Sequence, residues 1–257
     1  MPMQPLYLKH SLSIKDLPQY LGSQSVARFD NKCVFVGVDL APVDTLETGV
    51  VVIDAKRNIL QRDKLDSNEK VMRLLTEISA PENMVVALDL PKSLLIASKW
   101  RQQQIKMHPL TLNKDELMGL PAVTKAWYAQ RARALFKSAR ENNQFIFGFF
   151  APHAKLRFGL TTPFRNRSPN GCRALQNNIR QYLNLNGLSE NLAPSSVLDA
   201  AIGAYSAWLL CHGREKIHYQ LYLDDNARLY LDPLHCLEKG TVPAKKKRFR
   251  HRYVSPK

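Results

Sequence analysis

The sequence predicts an α/β fold built on a mixed five-stranded sheet, in which three antiparallel strands are followed by parallel ones and helices cover both faces. Two observations indicate this class. Apolar runs typical of strands and helical patterns follow one another in the order β-β-β-α-β-α-β-α. The helical pattern between the third and fourth strands also predicts a crossover that returns the chain parallel to an earlier strand. The 257 residues suit one sizeable domain with appendages.

Five segments have the composition of strands. The first, residues 32–39, is short, almost wholly apolar and rich in β-branched and aromatic side chains, which is typical of a buried strand. The others are residues 48–54, 58–62, 84–89 and 143–150. Short polar turns separate the first three strands, so we expect them to form an antiparallel meander.

The helices are predicted from periodicity and capping residues. Val71, Leu74, Leu75 and Ile78 fall on one helical face. The other predicted helices cover residues 92–107, 113–142, 173–185 and about 195–212. Residues 151–171 contain three prolines and two glycines, so we expect this segment to be rich in loops. A short hairpin over residues 217–223 and 228–231 follows the last helix.

We expect three regions along the chain: a loosely ordered lead-in over residues 1–30, an α/β domain over residues 31–240, and a flexible basic tail over residues 241–257. The domain carries a basic helical insert at about residues 92–142. The start of the chain lacks a secretory pattern, and no apolar run approaches the ~20 residues of a membrane helix. Four scattered cysteines without a CxxC pair suit a reducing compartment. We therefore expect a cytoplasmic protein without a membrane partner, and no pattern indicates its oligomeric state.

The net charge of +15 is concentrated in two segments. Residues 91–180 hold 16 Lys or Arg against 3 Asp or Glu, and residues 241–257 hold 7 Lys or Arg and no acid. Clustered basic residues bind polyanions through their phosphates, and a solvated basic surface is the alternative interpretation. We expect a nucleic acid, either DNA or RNA, as the partner.

Three aspartates stand in apolar surroundings where a folded domain normally avoids a charge. Asp39 and Asp89 each end an apolar strand, and Asp199 lies near the start of an apolar helix rich in small residues. Neighbouring parallel strands end side by side, and a helix of small residues can approach a sheet closely. Converging carboxylates repel one another unless a cation joins them, so the pattern predicts a metal site.

Three short motifs resemble a known family. Residues 36–41 (VGVDLA) with residues 48–52 (TGVVV) resemble the opening hairpin of ribonuclease H-like proteins. Residues 86–91 (VALDLP) and 197–204 (VLDAAIGA) resemble the fourth strand and last helix of a poorly characterised bacterial family of predicted ribonuclease H-like nucleases. The resemblance covers roughly residues 32–235 and includes the resolvase-like branch of the fold.

The resemblance implies a nuclease that hydrolyses phosphodiester bonds with magnesium or manganese. Asp39 would bridge two metal ions, Asp89 would bind one of them, and Asp199 would complete the site. Two such ions can activate a water and stabilise the leaving oxygen. The chain departs from the pattern in having Asp89 where many members have Glu, and in lacking an obvious fourth carboxylate. Glu69 and Glu77 on the first helix are the candidates for that fourth position.

Further residues are predicted to contact nucleic acid. His153 follows the fifth strand and could act as a proton shuttle or phosphate contact, although such a histidine is more often an ordinary loop residue. The loop-rich segment interleaves arginines with Phe158 and Phe164, a mixture that suits backbone contacts and base stacking. The remaining predicted contacts are Arg157, Arg165, Arg167, Arg173, Lys245, Lys246, Lys247 and Arg248.

Other interpretations stay open at the level of sequence. Asp39 and Asp89 could end strands by bonding to their own turns, and Asp199 could close a capping box with Ser196. A non-catalytic nucleic-acid-binding protein on the same fold is the main alternative function. A phosphotransferase of the actin and sugar-kinase type would need a phosphate loop after the first strand, which this chain lacks. A zinc site is also conceivable, although its spacing matches no known ligand pattern. Its ligands would be Cys211, His212, His218, His235 and Cys236.

Overall fold

The computed structural model describes residues 33–42, 46–78, 83–89, 122–142, 144–165, 167–212, 218–223 and 229–235. The predicted lead-in, most of the basic insert and the predicted tail lie outside these residues. The strands are β1 (Val34–Asp39), β2 (Thr48–Asp54), β3 (Ile59–Leu65), β4 (Met84–Asp89), β5 (Phe145–Phe149), β6 (His218–Leu223) and β7 (Leu229–His235). The helices are α1 (Asn68–Ile78), α2 (Ala122–Glu141), α3 (Ala151–Arg157), α4 (Pro169–Asn178), which continues as a π-helical turn (Ile179–Leu183), and α5 (Ser195–His212).

The strands form one mixed sheet in the order β3-β2-β1-β4-β5-β7-β6. β1, β2 and β3 pair antiparallel, whereas β4 lies parallel to both β1 and β5. The parallel strands are nearly all apolar because helices cover both of their faces. β3, at the edge, alternates partly buried and exposed residues instead. This order is that of the ribonuclease H-like fold, so the predicted fold class is confirmed.

The predicted hairpin extends this sheet. β6 and β7 pair antiparallel, and β7 joins β5 in parallel through Gly148 and Tyr230. In the part of the chain that the structure describes, the sheet therefore has seven strands, of which the first five are those expected from the apolar runs. No helix in the described part of the chain is long and apolar enough to cross a membrane.

Two apolar cores lie on opposite faces of the sheet. One packs α3, α4 and α5 against side chains that include Phe35 and Val85. The other packs α1 and α2 against side chains that include Val36 and Val86. Because successive residues of a strand point to opposite faces, each buried strand contributes to both cores. The odd-numbered residues of β1 and β4 face α5.

The segment predicted to be rich in loops, residues 151–171, contains two helix starts, so this prediction was wrong at both ends of the segment. Residues 158–165 and 167–168, between the two helices, lie in turns and loops as expected. α3 begins at Ala151, directly after β5, and α4 begins at Pro169. Proline is tolerated in the first turn of a helix because the amides there have no partner within the helix. Pro152 and Pro169 both occupy first turns, and Ser168 caps α4 by accepting a hydrogen bond from the Gly171 amide at 3.1 Å. Here, proline marks where a helix starts.

Candidate active site

Two of the three predicted aspartates end neighbouring parallel strands. Asp39 and Asp89 are the last residues of β1 and β4 and are direct register partners. Side chains alternate along a strand, so Asp39 lies on the same face as Phe35, and Asp89 on the same face as Val85. This is the face that α5 covers, and the two carboxylates therefore meet beneath the start of that helix.

α5 brings Asp199 to the same place. Its backbone lies directly on β1, because a Cβ added at Gly37 would overlap backbone atoms of Ala200 and Ala204. This close approach places the first turns of the helix at the strand ends. As a result, Asp39, Asp89 and Asp199 all line one cavity of about 610 Å³. The structure therefore brings together the three carboxylates singled out in the sequence.

A buried lysine joins the cluster from α3. The Lys155 Nζ lies 2.6 Å from Asp199 Oδ1, and the lysine is 6% exposed. The same helix also contacts the second carboxylate, since the Ala151 amide donates to Asp89 Oδ1 at 2.8 Å. α3 thus holds two of the three aspartates, one through its backbone and one through an ion pair.

Lys155 is absent from the residues singled out in the sequence, because the segment that carries it was predicted to be rich in loops. Once α3 is recognised, Ala151, Ala154, Lys155 and Phe158 fall at positions i, i+3, i+4 and i+7. Ala151, Ala154 and Phe158 are buried in the core. A lysine on such an apolar face needs a carboxylate partner, and this pattern was the signal that could have found it.

The proton equilibria of the site reflect this crowding. Burial, followed by repulsion from Asp39 and then Asp199, raises the pKa of Asp89 well above its usual value. Burial alone would lower the pKa of Lys155, but attraction to Asp199, Asp89 and Asp39 outweighs it and raises that pKa. The site therefore disfavours the ionised form of Asp89 and favours the ammonium form of Lys155.

The wall of the cavity next to Asp39 is held by buried polar contacts. The Ala41 amide donates to Thr48 Oγ1 at 3.1 Å, and the Ala41 carbonyl accepts from Arg131 Nη1 at 2.7 Å. Both Thr48 and Arg131 are buried. Glu47 and Lys64 also line the cavity and form an exposed ion pair. Neither Glu69 nor Glu77, the fourth carboxylates considered from sequence, is among the residues that line it.

Asp199 does not close a capping box with Ser196. α5 begins at Ser195, and the Leu198 amide donates to the Pro194 carbonyl, so Ser196 is already inside the helix. A capping box needs its serine just before the first helical residue. The Asp199 carboxylate pairs with Lys155 instead, and the capping alternative is therefore wrong.

The donor set suits a divalent cation only in part. In the described part of the chain, no three His, Cys, Asp or Glu side chains form a group that could hold a metal ion. Asp199 pairs with Lys155, whereas Asp39 and Asp89 are register partners that both line the cavity. Magnesium commonly binds through one or two carboxylates and completes its shell with water and substrate phosphate. Asp39 and Asp89 therefore fit one such ion.

The zinc combination considered from sequence does not gather around the described residues. Cys211 and His212 lie in the last turn of α5, where the His212 ring stacks on Trp208 with 5.1 Å between ring centroids. His218 begins β6 and His235 ends β7, where the two residues are register partners, but the structure does not describe their side chains. Cys236 falls beyond the described residues.

The predicted nucleic-acid contacts are placed unevenly. Arg167 lines the cavity and is exposed, whereas Arg165 and Arg173 are exposed outside its lining. Phe164 is 48% exposed, but Phe158 is buried and packs edge-on against Tyr205, so Phe158 is a core residue and not a stacking surface. Two further predicted contacts, His153 and Arg157, lie in α3, but the structure does not describe their side chains. The other four lie beyond the described residues: Lys245, Lys246, Lys247 and Arg248.

Comparison with known proteins gives only distant similarity. No protein-family model and no curated protein matches the chain. Among solved structures, the chain is similar to T. thermophilus RuvC in complex with Holliday junction substrate, with 14% identity, a TM-score of 0.42, and coverage of 70% of this chain and 96% of that one. It is also similar to a Thermus thermophilus RuvC structure, with 13% identity, a TM-score of 0.40, and coverage of 70% and 97%. Similarity this low transfers neither residue roles nor activity, so the function is argued from the site itself.

We expect Asp89→Asn to stabilise the metal-free protein at pH 7. The raised pKa of Asp89 means that the folded state binds a proton more tightly than the unfolded state, so stability falls as pH rises above the usual value of 3.8. Asparagine removes this penalty and keeps the oxygen that accepts from Ala151. Thermal melts in a chelator should show a gain of about 1 kcal/mol, or ~2–4 °C. The gain should shrink as the pH approaches 4, and an unchanged melting temperature at pH 7 would contradict the assignment.

Proposed function

We propose that this chain is a metal-dependent nuclease that hydrolyses phosphodiester bonds of a nucleic acid, in keeping with the family resemblance of its three motifs. The observation that carries the proposal is the convergence of Asp39, Asp89 and Asp199 on one cavity at the ends of parallel strands. A protein gains no stability from gathering three carboxylates in a partly buried place, because they repel one another and lose hydration. Such an arrangement is typical of sites whose charge serves binding or catalysis.

The residues of the site would have separate roles. Asp39 and Asp89 would hold a magnesium or manganese ion, and Asp199 would add negative charge from the helix side. The ion, when bound, would lower the pKa of a coordinated water and polarise the phosphate. The cavity walls near Ala41, held by Thr48 and Arg131, would keep the first strand end in place. The proposed location is the cytoplasm.

The substrate would be held by basic residues around the cavity. Arg167 lines the cavity and is exposed, so its guanidinium can bind a phosphate next to the acidic residues. The segment of residues 91–180, which has 16 Lys or Arg against 3 acids, would contact successive phosphates of the nucleic acid. We propose the same role for the tail, with Lys245–Arg248 as a non-specific phosphate contact.

We expect Arg167→Gln to weaken nucleic-acid binding and its salt dependence. Losing one phosphate contact should reduce the slope of log K against log salt by about 1 and the affinity by roughly tenfold at low salt. Fluorescence anisotropy across a salt series measures both values. Arg73→Gln is the matched control and should leave both unchanged, because Arg73 is exposed on α1 and does not line the cavity. Equal slopes for wild type and Arg167→Gln would show that Arg167 does not contact a phosphate of the substrate.

The proposal is tested by a cleavage screen on labelled linear and branched DNA and RNA. Wild-type protein should cut at least one of these substrates with Mg²⁺ or Mn²⁺ and none with a chelator. The Asp39→Asn protein should not cut. Binding to these substrates without any metal-dependent cleavage would overturn the nuclease proposal.

Binding without cleavage is the second candidate function, and one observation favours it. Lys155 already compensates one carboxylate of the cluster without any added cation. Under this alternative the aspartates would have a structural role, and the basic segments alone would determine affinity. The same screen separates the two functions, because a non-catalytic protein would shift the substrates in a gel at low salt and leave them intact.

A further inference from the structure

The position of Lys155 bears on how many cations the acidic site can take. Its ammonium contacts Asp199 at 2.6 Å, and both side chains are largely buried, at 8% and 17% exposed. Lys155 does not itself line the cavity, whereas all three aspartates do. It therefore reaches Asp199 from the core side of the site, opposite to the side from which a substrate or ion would enter.

The helix that carries Lys155 is anchored on both sides. Ala154 and Phe158 pack in the core with α5 residues such as Leu198. At its start, the Ala151 amide donates to Asp89 Oδ1 at 2.8 Å. Separating the ammonium from Asp199 would leave two charges unpaired in a buried place, which is costly. The ion pair is therefore a fixed part of the site rather than a mobile surface contact.

A count of charges decides how many divalent cations suit this arrangement. When a cation binds and all three aspartates are ionised, the Lys155 ammonium leaves two negative charges among these four side chains, which one divalent ion neutralises. A second divalent ion would give the buried cluster an excess of positive charge, which is costly in a low-dielectric place. Among the described residues that line the cavity, the bases are Arg167 and Lys64, which are both exposed, and Lys64 pairs with Glu47. Water screens the charges of these two residues.

We propose that Lys155 takes the place of a second metal ion at Asp199, so that the site holds a single divalent cation between Asp39 and Asp89. This inference rests on the proposed nuclease function and defines its metal requirement. Asp199 and Lys155 then act as positioning residues, because they fix the charge and the shape of the site without contacting the cation. A site of this kind differs from the two-ion arrangement that the resemblance implies.

The number of bound ions tests the proposal without any measurement of activity. Mn²⁺ bound per chain is counted by electron paramagnetic resonance, with short phosphorothioate DNA and RNA oligonucleotides added in separate runs. Wild type should bind one ion. Lys155→Met frees Asp199 and should bind two. Lys137→Met is the matched control, since Lys137 is exposed on α2 and pairs only loosely with Glu141 at 3.7 Å, and it should bind one.

A double variant keeps the test decisive if Lys155→Met fails to fold with an unpaired buried carboxylate. Lys155→Met with Asp199→Asn removes both charges of the pair, a change that buried pairs tolerate better than the loss of one partner. It should bind one ion with an affinity within about threefold of wild type. Loss of affinity by about tenfold or more would make Asp199 a ligand and overturn the proposal.

The outcomes separate this inference from the proposed function. Two ions in wild type would overturn the single-cation site and leave the nuclease proposal standing. No ion in wild type, with either oligonucleotide present, would overturn both. One ion in wild type and in the double variant, with a gain in a folded Lys155→Met protein, supports the role assigned to Lys155.

Discussion

Asp39→Asn is expected to reduce metal-dependent cleavage by about a thousandfold or more while nucleic-acid affinity stays within about threefold of wild type. Asp39 ends β1 in direct register with Asp89 and lines the cavity with it. Asparagine has nearly the same shape but lacks the negative charge that a divalent cation needs. Affinity should survive because the basic residues that bind phosphate are untouched. Single-turnover cleavage and anisotropy on the same substrate measure the two effects.

Asp54→Asn is the matched control for this prediction. Asp54 also ends a strand, but its Oδ1 accepts hydrogen bonds from the amides of Lys56 and Asn58, each at 2.8 Å, in its own turn. It thus shows the turn role that the sequence also allowed for Asp39. The control should retain cleavage near the wild-type rate. Cleavage at the wild-type rate by the Asp39→Asn protein would show that Asp39 is not needed for catalysis.

The second large effect is expected from Gly37→Ala, which should destabilise the fold by about 3 kcal/mol. The added methyl would overlap the backbone of Ala200 and Ala204, so α5 must move away from β1. Backbone cannot rotate aside as a flexible side chain can. Because the whole domain is stable by only ~5–15 kcal/mol, this is a large share of its stability. Urea denaturation followed by circular dichroism measures the loss.

Movement of α5 should also carry Asp199 away from the strand ends and change the shape of the acidic site, so any folded Gly37→Ala protein should cleave more slowly than wild type. Ala134→Val is a suitable control, because Ala134 is exposed on α2 and the larger side chain meets solvent. The control should cost less than about 1 kcal/mol through helix propensity alone. A Gly37→Ala protein as stable as this control would show that α5 does not rest on the β1 backbone as described.

Local patterns made much of the sheet predictable. Parallel strands covered on both faces must be apolar throughout, so the runs that end at Asp39 and Asp89 stand out from the rest of the chain. The helical face of Val71 and Leu75 between these runs implied the crossover, and the crossover made the strands parallel neighbours. Once they are neighbours, their terminal carboxylates must lie side by side.

Turn and helix starts were harder to predict where proline was involved. The same residue type breaks one helix and begins another, and only the position relative to the first turn distinguishes the cases. Pro152 and Pro169 were interpreted as breakers and in fact lie at helix starts. This error hid the apolar face of α3 and, with it, the buried position of Lys155.

The amino-acid sequence by itself determined the class of fold and the three carboxylates, because both follow from local composition and from the period of side chains along strands and helices. The tertiary structure decided how the charges are balanced. Lys155 and Asp199 are 44 positions apart in the chain, and their contact depends on α3 and α5 packing on the same face of the sheet. The local pattern of α3 can show that Lys155 is buried, but which carboxylate it meets depends on long-range packing, so the pairing with Asp199 became visible only in three dimensions.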